Sequence, residues 1–278
     1  MLRLGAVSAA ALVEPVLIGS ALAQSATLRV GVLPNVSARV IFAQYQPMRT
    51  FLEVEMAQPV EILTAPDFKT FQARTGGGDY DMVITAANLA RLAQVDYKWV
   101  PIALYEPPIP GVLVRAKGGN LGGPSALKGK KLALANPASL VAMRGYGWLA
   151  ERGLVKGVDY TPVLARNDDS LGTLLASADT PYAIMSMGEF RMIPEATRNG
   201  LEIETEFARV PGFVLMHSPA LPPPRAALLR AAVLRLGSSS LGARFFELSG
   251  FRAVRPPQPM ELEALDPYVA PTRAAMAQ

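Results

Sequence analysis

The sequence of 278 residues contains no cysteine and a single histidine, His217. The first absence excludes disulfides, thiolate metal sites and cysteine nucleophiles. It also removes the thiol that carries a lipid on many exported proteins, so a lipid-anchored form is not expected. The second absence excludes a multi-histidine metal centre. Charge of either sign is modest: 27 Lys and Arg against 23 Asp and Glu give a net charge of +4, with the basic residues scattered along the chain. A nucleic-acid interface needs a clustered basic face, so no nucleic-acid partner is expected. The longest uncharged stretch, 210–224, is broken by Pro211, Pro219 and Pro222–Pro224 and makes no membrane span.

What the N-terminus does have is a leader pattern. Arg3 precedes ten apolar or small residues, Leu4–Val13, and Ala21-Leu22-Ala23 supplies the small-x-small pattern read by signal peptidase. Glu14 and Pro15 interrupt the apolar segment, and its length falls short of the ~20 residues of a spanning helix. Residues 1–23 therefore read as a cleaved signal peptide, leaving 255 of the 278 residues. That length, with 50% hydrophobic residues, is too much for one small core and suits two lobes.

From Thr27 onward, short β-rich runs alternate with helical patterns. Strands are expected at 27–33, 60–64, 81–85 and 100–104. Phe42, Tyr45, Phe51, Leu52 and Met56 recur at helical spacing between the first two, and further helices fall near Phe68 and over 87–94. A second series places strands at 111–115, 131–135, 161–165 and 182–186, with helices over 137–152 and 168–178. Such alternation implies mostly parallel sheets flanked by helices, an α/β fold. Pro107, Pro108 and Pro110 precede the second series, while Pro211 and Gly212 follow it. These two punctuated places read as crossings between lobes. Lobe 1 is then 24–112 with 213–278, and lobe 2 is 113–212. Helices over 223–236 and 241–248 return to lobe 1.

Several segments together resemble a known family. Gly31-Val32-Leu33-Pro34 ends the first strand, and Tyr45-Gln46-Pro47-Met48 with Phe51-Leu52 follows on a helix. Asp67-Phe68 and Gly78-Asp79-Tyr80-Asp81-Met82-Val83 come next, then Leu127-Lys128-Gly129-Lys130-Lys131-Leu132-Ala133 and Asn136-Pro137-Ala138-Ser139. Over about 28–268, this series resembles the phosphate/phosphite/phosphonate-binding family of ABC-transporter solute-binding proteins. The resemblance implies a type 2 periplasmic-binding-protein fold, whose two lobes close on a small tetrahedral oxyanion. It implies as partner an ABC permease or, in the alternative reading as a ligand sensor, a membrane sensor kinase. A monomer is expected. Where aminophosphonate binders of the family carry an acidic residue, this chain reads Pro181-Tyr182-Ala183-Ile184, which argues against an amino-phosphonate ligand.

The residues point to the same cleft. In open α/β sheets, ligands sit beyond the carboxyl ends of strands, where helix N-termini present amides that favour an anion. Four such loops follow strands or open helices here: Asn35-Val36-Ser37, Thr85-Ala86-Ala87-Asn88, Asn136-Pro137-Ala138-Ser139 and Ser186-Met187. The candidate ligand-binding residues are Asn35, Ser37, Thr85, Asn88, Ser139 and Ser186, with Tyr105 and Tyr182 as candidate walls. Ser37, Asn136 and Ser139 also read as plain helix caps, worth ~1 kcal/mol each, and for Ser37, Asn88 and Ser139 capping is as good a reading as ligand contact. Gly76-Gly77-Gly78 lacks the Lys-Ser/Thr of a phosphate loop and reads as a turn. Asp67, Asp79 and Asp81 match no metal loop. With no compact acid/base constellation, neither an enzyme, nor a cofactor, nor a metal is expected.

Overall fold

A computed structural model of the chain describes residues 27–118, 122–165, 168–175 and 177–277. The expected signal peptide, 1–23, lies outside them.

The first half of the chain runs β1 (Leu28–Val32), α1 (Ala38–Met56), β2 (Val60–Leu63), α2 (Phe68–Gly77), β3 (Met82–Thr85), α3 (Ala87–Tyr97) and β4 (Val100–Glu106). Next come β5 (Ile109–Ala116), β6 (Lys130–Leu134), α4 (Leu140–Ala150), β7 (Tyr160–Leu164), α5 (Asp168–Leu175), β8 (Tyr182–Ser186), α6 (Met187–Met192), α7 (Glu195–Arg198) and β9 (Leu201–Val210). The last part is β10 (Val214–His217), α8 (Pro223–Arg235), α9 (Ser240–Ser249), β11 (Ala253–Arg255) and α10 (Asp266–Ala277). The strands form two mixed sheets, ordered β11-β4-β10-β3-β1-β2 and β7-β6-β8-β5-β9. In the first, β1 is parallel to β2 and β3, while β10 and β11 run against β4. In the second, β6 is parallel to β7 and β8, and β5 runs against β8 and β9. β5 begins at Ile109, so the second sheet takes up the chain a few residues ahead of residue 113.

Local chemistry explains the main helices. Along α1, Ile41, Tyr45, Met48, Leu52 and Met56 are buried at spacings of three and four, the stripe that lays a helix on a sheet. α2 starts where the Asp67 carboxylate accepts from the Thr70 amide at 2.6 Å, a bond that holds its carboxyl below the usual range. It stops at Gly78, whose φ of 81° is left-handed and suits glycine; the Gly76–Gly78 run is thus a helix end. One apolar layer lies under α1, α8 and α9, around Tyr45, Phe51, Phe245 and Phe246. A second runs from Phe68, Phe71 and Ala90 of lobe 1 into Leu132, Leu140 and Val141 of lobe 2. A third, around Val112, Leu171 and Met185, belongs to lobe 2 alone.

Two adjacent chain crossings join the sheets. Ile109 and Val210 are register partners at the start of the β5–β9 ladder, and the Tyr105 amide donates to the Phe213 carbonyl at 2.9 Å. The strands meet so closely there that a Cβ on Gly212 would sit 2.0 Å from the Tyr105 carbonyl oxygen. Only glycine fits. The lobes also touch away from the crossings. Asn88 Nδ2 on α3 donates to the Ala138 carbonyl just ahead of α4, at 3.0 Å. Arg144 Nη1 of α4 donates to the Tyr268 hydroxyl of α10, at 3.1 Å.

Candidate functional site

The carboxyl ends of the parallel strands converge on one cavity. Leu33, Pro34 and Asn35 follow β1, Pro66 follows β2 and Ala86 follows β3; Ala135 and Asn136 follow β6, Ala165 follows β7, and Ser186 ends β8. All of these line a cavity of about 500 Å³. Five helices begin at its wall, and their amino ends differ; α2, whose first residue Phe68 lines the cavity, is capped by the Asp67 carboxylate, which accepts from the Thr70 amide. α1 starts after Ser37 and α3 after Ala86, and neither position supplies a side-chain cap. Their first-turn amides therefore lack a capping acceptor, while the summed peptide dipole leaves partial positive charge there. α4 is capped by Ser139, whose Oγ accepts from the Ala142 amide at 3.1 Å. α6 carries a complete capping box: Ser186 Oγ accepts from the Glu189 amide at 3.1 Å, and the Glu189 carboxylate accepts from the Ser186 amide at 2.6 Å. A capping hydroxyl still holds its own proton and can donate it to a ligand.

Asn35, Ser37, Ser139 and Ser186 are thus brought to one cavity from three separate segments. Asn136 joins them; its Oδ1 accepts from the Ala138 amide at 2.9 Å. Among the described residues no arginine or lysine lines the cavity, and the charged lining residue is Glu189. An anion there is met by amide and hydroxyl donors. Such donors are fixed in place and cost little reorganisation when the ligand arrives.

The other four candidates are not among the lining residues. Thr85 ends β3 fully buried, its hydroxyl without a partner among the described residues; the following Ala86 meets the cavity instead. Asn88 is buried with its Nδ2 shared between the Ala138 carbonyl and Thr272 Oγ1, both at 3.0 Å. Tyr105 lies in the layer under α1, its hydroxyl 3.5 Å from Met48 Sδ and its ring against Phe245 and Phe251. Burial pushes its phenol well above the ordinary value. Tyr182 opens β8, whereas the cavity lies at that strand's other end, at Ser186. Apolar lining residues were not anticipated from the sequence: Ile109, Leu140, Val141, Val210 and Phe213. Ile109, Val210 and Phe213 sit at the Pro/Gly crossings, the one signal that marked this region.

The chain is similar to known proteins along nearly its whole length. The family model described as the periplasmic substrate-binding protein of a phosphonate ABC transporter matches residues 30–262. Among solved structures, PhnD1 from Prochlorococcus marinus, in complex with methylphosphonate, is similar at a TM-score of 0.76 with 13% identity, covering 89% of this chain and 98% of its own. XAC2383 from Xanthomonas citri, bound to ATP, gives 0.74 at 19% identity, covering 90% and 99%. A binding protein component of an ABC phosphonate transporter from Pseudomonas aeruginosa gives 0.75 at 12% identity, covering 90% and 88%. The curated proteins hold no match to the sequence.

Proposed function

This chain belongs to the phosphonate-binding family of periplasmic ABC-transporter substrate-binding proteins, and we propose that its cleft captures a small oxyanion of the phosphate, phosphite or phosphonate class and delivers it to a membrane permease. The observation that carries this reading is the pair of helices from lobe 1, α1 and α3, whose amino ends reach one cavity without side-chain caps. An oxyanion supplies the missing acceptors. Lobe 2 adds the Ser139 and Ser186 hydroxyls. Only a closed arrangement lets both lobes contact one ligand, and this difference in contact shifts the population towards closure. Capture without turnover is part of the proposal, as is a monomeric protein with no nucleic-acid partner. So is export through a signal peptide cleaved after Ala23; a mature mass beginning near Gln24, in protein released by osmotic shock, checks it.

Calorimetry with phosphate, phosphite and methylphosphonate tests the site. Loss of one hydrogen bond to a charged ligand is worth ~1.5–3 kcal/mol, roughly ten- to a hundredfold in affinity. Ser37→Ala is the cleaner variant, because Ser37 Oγ makes no capping bond. Ser139→Ala removes both a donor and a cap, so its melting temperature is expected to fall as well. Unchanged affinity in Ser37→Ala, Ser139→Ala and the double variant, with folding intact, would falsify this assignment of the site.

A further inference from the structure

The contacts that join the lobes away from the crossings run to one element, α10. This helix is fastened to lobe 1 by charge and by packing. Arg91 of α3 pairs with Asp266 at 2.6 Å and with Glu263 at 3.4 Å. Arg273 grips Asp96 through Nε at 3.1 Å and Nη2 at 2.6 Å. Leu262, Leu265 and Met276 join the apolar layer of Phe71 and Ala90. Towards lobe 2 the helix offers hydroxyls instead. Thr272 Oγ1, on a wholly buried residue, accepts from Asn88 Nδ2 at 3.0 Å and donates to Met143 Sδ of α4 at 3.7 Å. The same Asn88 nitrogen donates to the Ala138 carbonyl at 3.0 Å. A chain of hydrogen bonds thus leaves lobe 2 just ahead of α4, passes through α3 and α10, and re-enters lobe 2 on α4. One turn away, the Tyr268 hydroxyl accepts from Arg144 Nη1 at 3.1 Å.

The two attachments differ in kind. Parting the lobes breaks the hydroxyl bonds to α4 and leaves the ion pairs with α3 and the packing intact, so α10 travels with lobe 1. Each neutral hydrogen bond held only in the closed state shifts the balance about fivefold towards closure. An opposing cost of comparable size is present, because Asn88 Oδ1 is buried with no partner among the described residues and parting the lobes lets water reach it. The two terms poise the lobes near balance. Among the described residues none of α10 lines the cavity, so this helix acts on a ligand only through the movement of the lobes.

We infer that α10 is a strap that draws the lobes together before any ligand arrives: fixed on lobe 1, it holds α4 of lobe 2 through Thr272, Asn88 and Tyr268, and so sets the closed fraction of the ligand-free protein. Apparent affinity follows the fraction already in the binding arrangement, which lets residues outside the cavity tune capture. The inference rests on the lobe movement of the proposed function and not on the class of ligand.

Paired spin labels on Val54→Cys and Val158→Cys test it in the full chain without ligand. Both positions are exposed, at 72% and 81%, one on each lobe, and the sequence has no other cysteine. Pulsed dipolar spectroscopy is expected to show two inter-lobe distances, the closed one matching this structure. Thr272→Val keeps the shape of the side chain and removes both hydroxyl bonds, so the ratio of closed to open should fall about fivefold or more. Tyr268→Phe removes one exposed bond, should move the ratio less, and carries the test if Thr272→Val fails to fold. A distribution unmoved in Thr272→Val, or in Tyr268→Phe where that variant alone folds, overturns the strap. The distances are read without ligand, so that failure is separate from failure of oxyanion capture, which shows as no binding of methylphosphonate by the unaltered chain.

Discussion

The two lobes present the same kind of element to the cavity and finish it differently. Lobe 1 offers the amino ends of α1 and α3, long helices whose N-cap positions, Ser37 and Ala86, make no side-chain capping bond, beside α2, which Asp67 caps. Lobe 2 offers α4 and α6, both capped by serines. A capped helix is satisfied without a ligand, whereas an uncapped one leaves donors to water. The lesson is a division of labour. On the proposed reading, the two uncapped helices of lobe 1 would hold the anion, and lobe 2 would add hydroxyl donors once the lobes meet. An oxyanion should therefore dock on lobe 1 first and be enclosed by lobe 2.

The largest effect is expected from erasing that difference. Ala86 already has N-cap geometry, with φ −66° and ψ 148°. In Ala86→Asp the new carboxylate caps α3 and occupies the place of the ligand's charge. Stability should rise by ~0.5–2 kcal/mol, while oxyanion affinity falls a hundredfold or more by calorimetry. If binding survives in a stabilised variant, the bare amides of α3 do not hold the anion.

A smaller effect is expected at the contact between the lobes. Asn88→Ala removes the bond to the Ala138 carbonyl and leaves Thr272 without its partner on Nδ2. A loss of ~1–3 kcal/mol in denaturant unfolding is expected, the usual result of stranding buried polar groups. Because the bond joins the lobes, affinity should fall too, though less than in Ala86→Asp. Normal affinity in a destabilised variant would show the contact to be structural only.

The smallest effect separates the lobes by acid. In lobe 1, Arg255 reaches both Glu106 and Glu261 and holds the Glu261 carboxyl below its ordinary value. A depressed carboxyl stabilises the fold above its unfolded value of ~4.3 and loses that contribution as pH falls through the lowered folded value. The Lys131–Asp179 pair of lobe 2 is exposed, its side chains 51% and 50% accessible, and screening leaves such pairs little to contribute. Glu261→Gln should therefore lower the melting temperature at pH 7 by an amount that shrinks below pH ~4. Asp179→Asn should change it little at either pH. A gap for Glu261→Gln that is the same at both values would mean that packing, not charge, sets it.

Much of the architecture was legible because it repeats locally. The alternation of strands and helices from Leu28 to Ser186 follows from period-two and period-3.6 patterns that any short window contains. The C-terminal part was less legible. In β9, Leu201, Ile203, Thr205 and Phe207 alternate with Glu202, Glu204 and Glu206. That is a period-two signal, but it lies outside the strand–helix alternation by which the other strands are recognised. β10 is four residues inside a Pro-rich stretch, and α10 contains Pro271; both are held by long-range contacts and not by their own pattern.

The site divides along the same line. The sequence by itself determined that polar, small residues follow the strands, because strand ends and helix starts are written locally; Asn35, Ser37, Ser139 and Ser186 all reach the cavity. Only the tertiary structure decided the rest. Asn88 and Ser37 look alike as polar residues at helix starts. Yet Asn88 is taken up by Thr272, 184 positions away, while Ser37 has no capping bond and lines the cavity. Tyr105 is drawn into the core by Phe245 and Phe251, neighbours almost as remote. The apolar lining residues Ile109, Val210 and Phe213 come side by side only because the chain crosses twice there. Which partner a polar group finds, and which surfaces meet, depends on contacts between distant segments, and those no local pattern encodes.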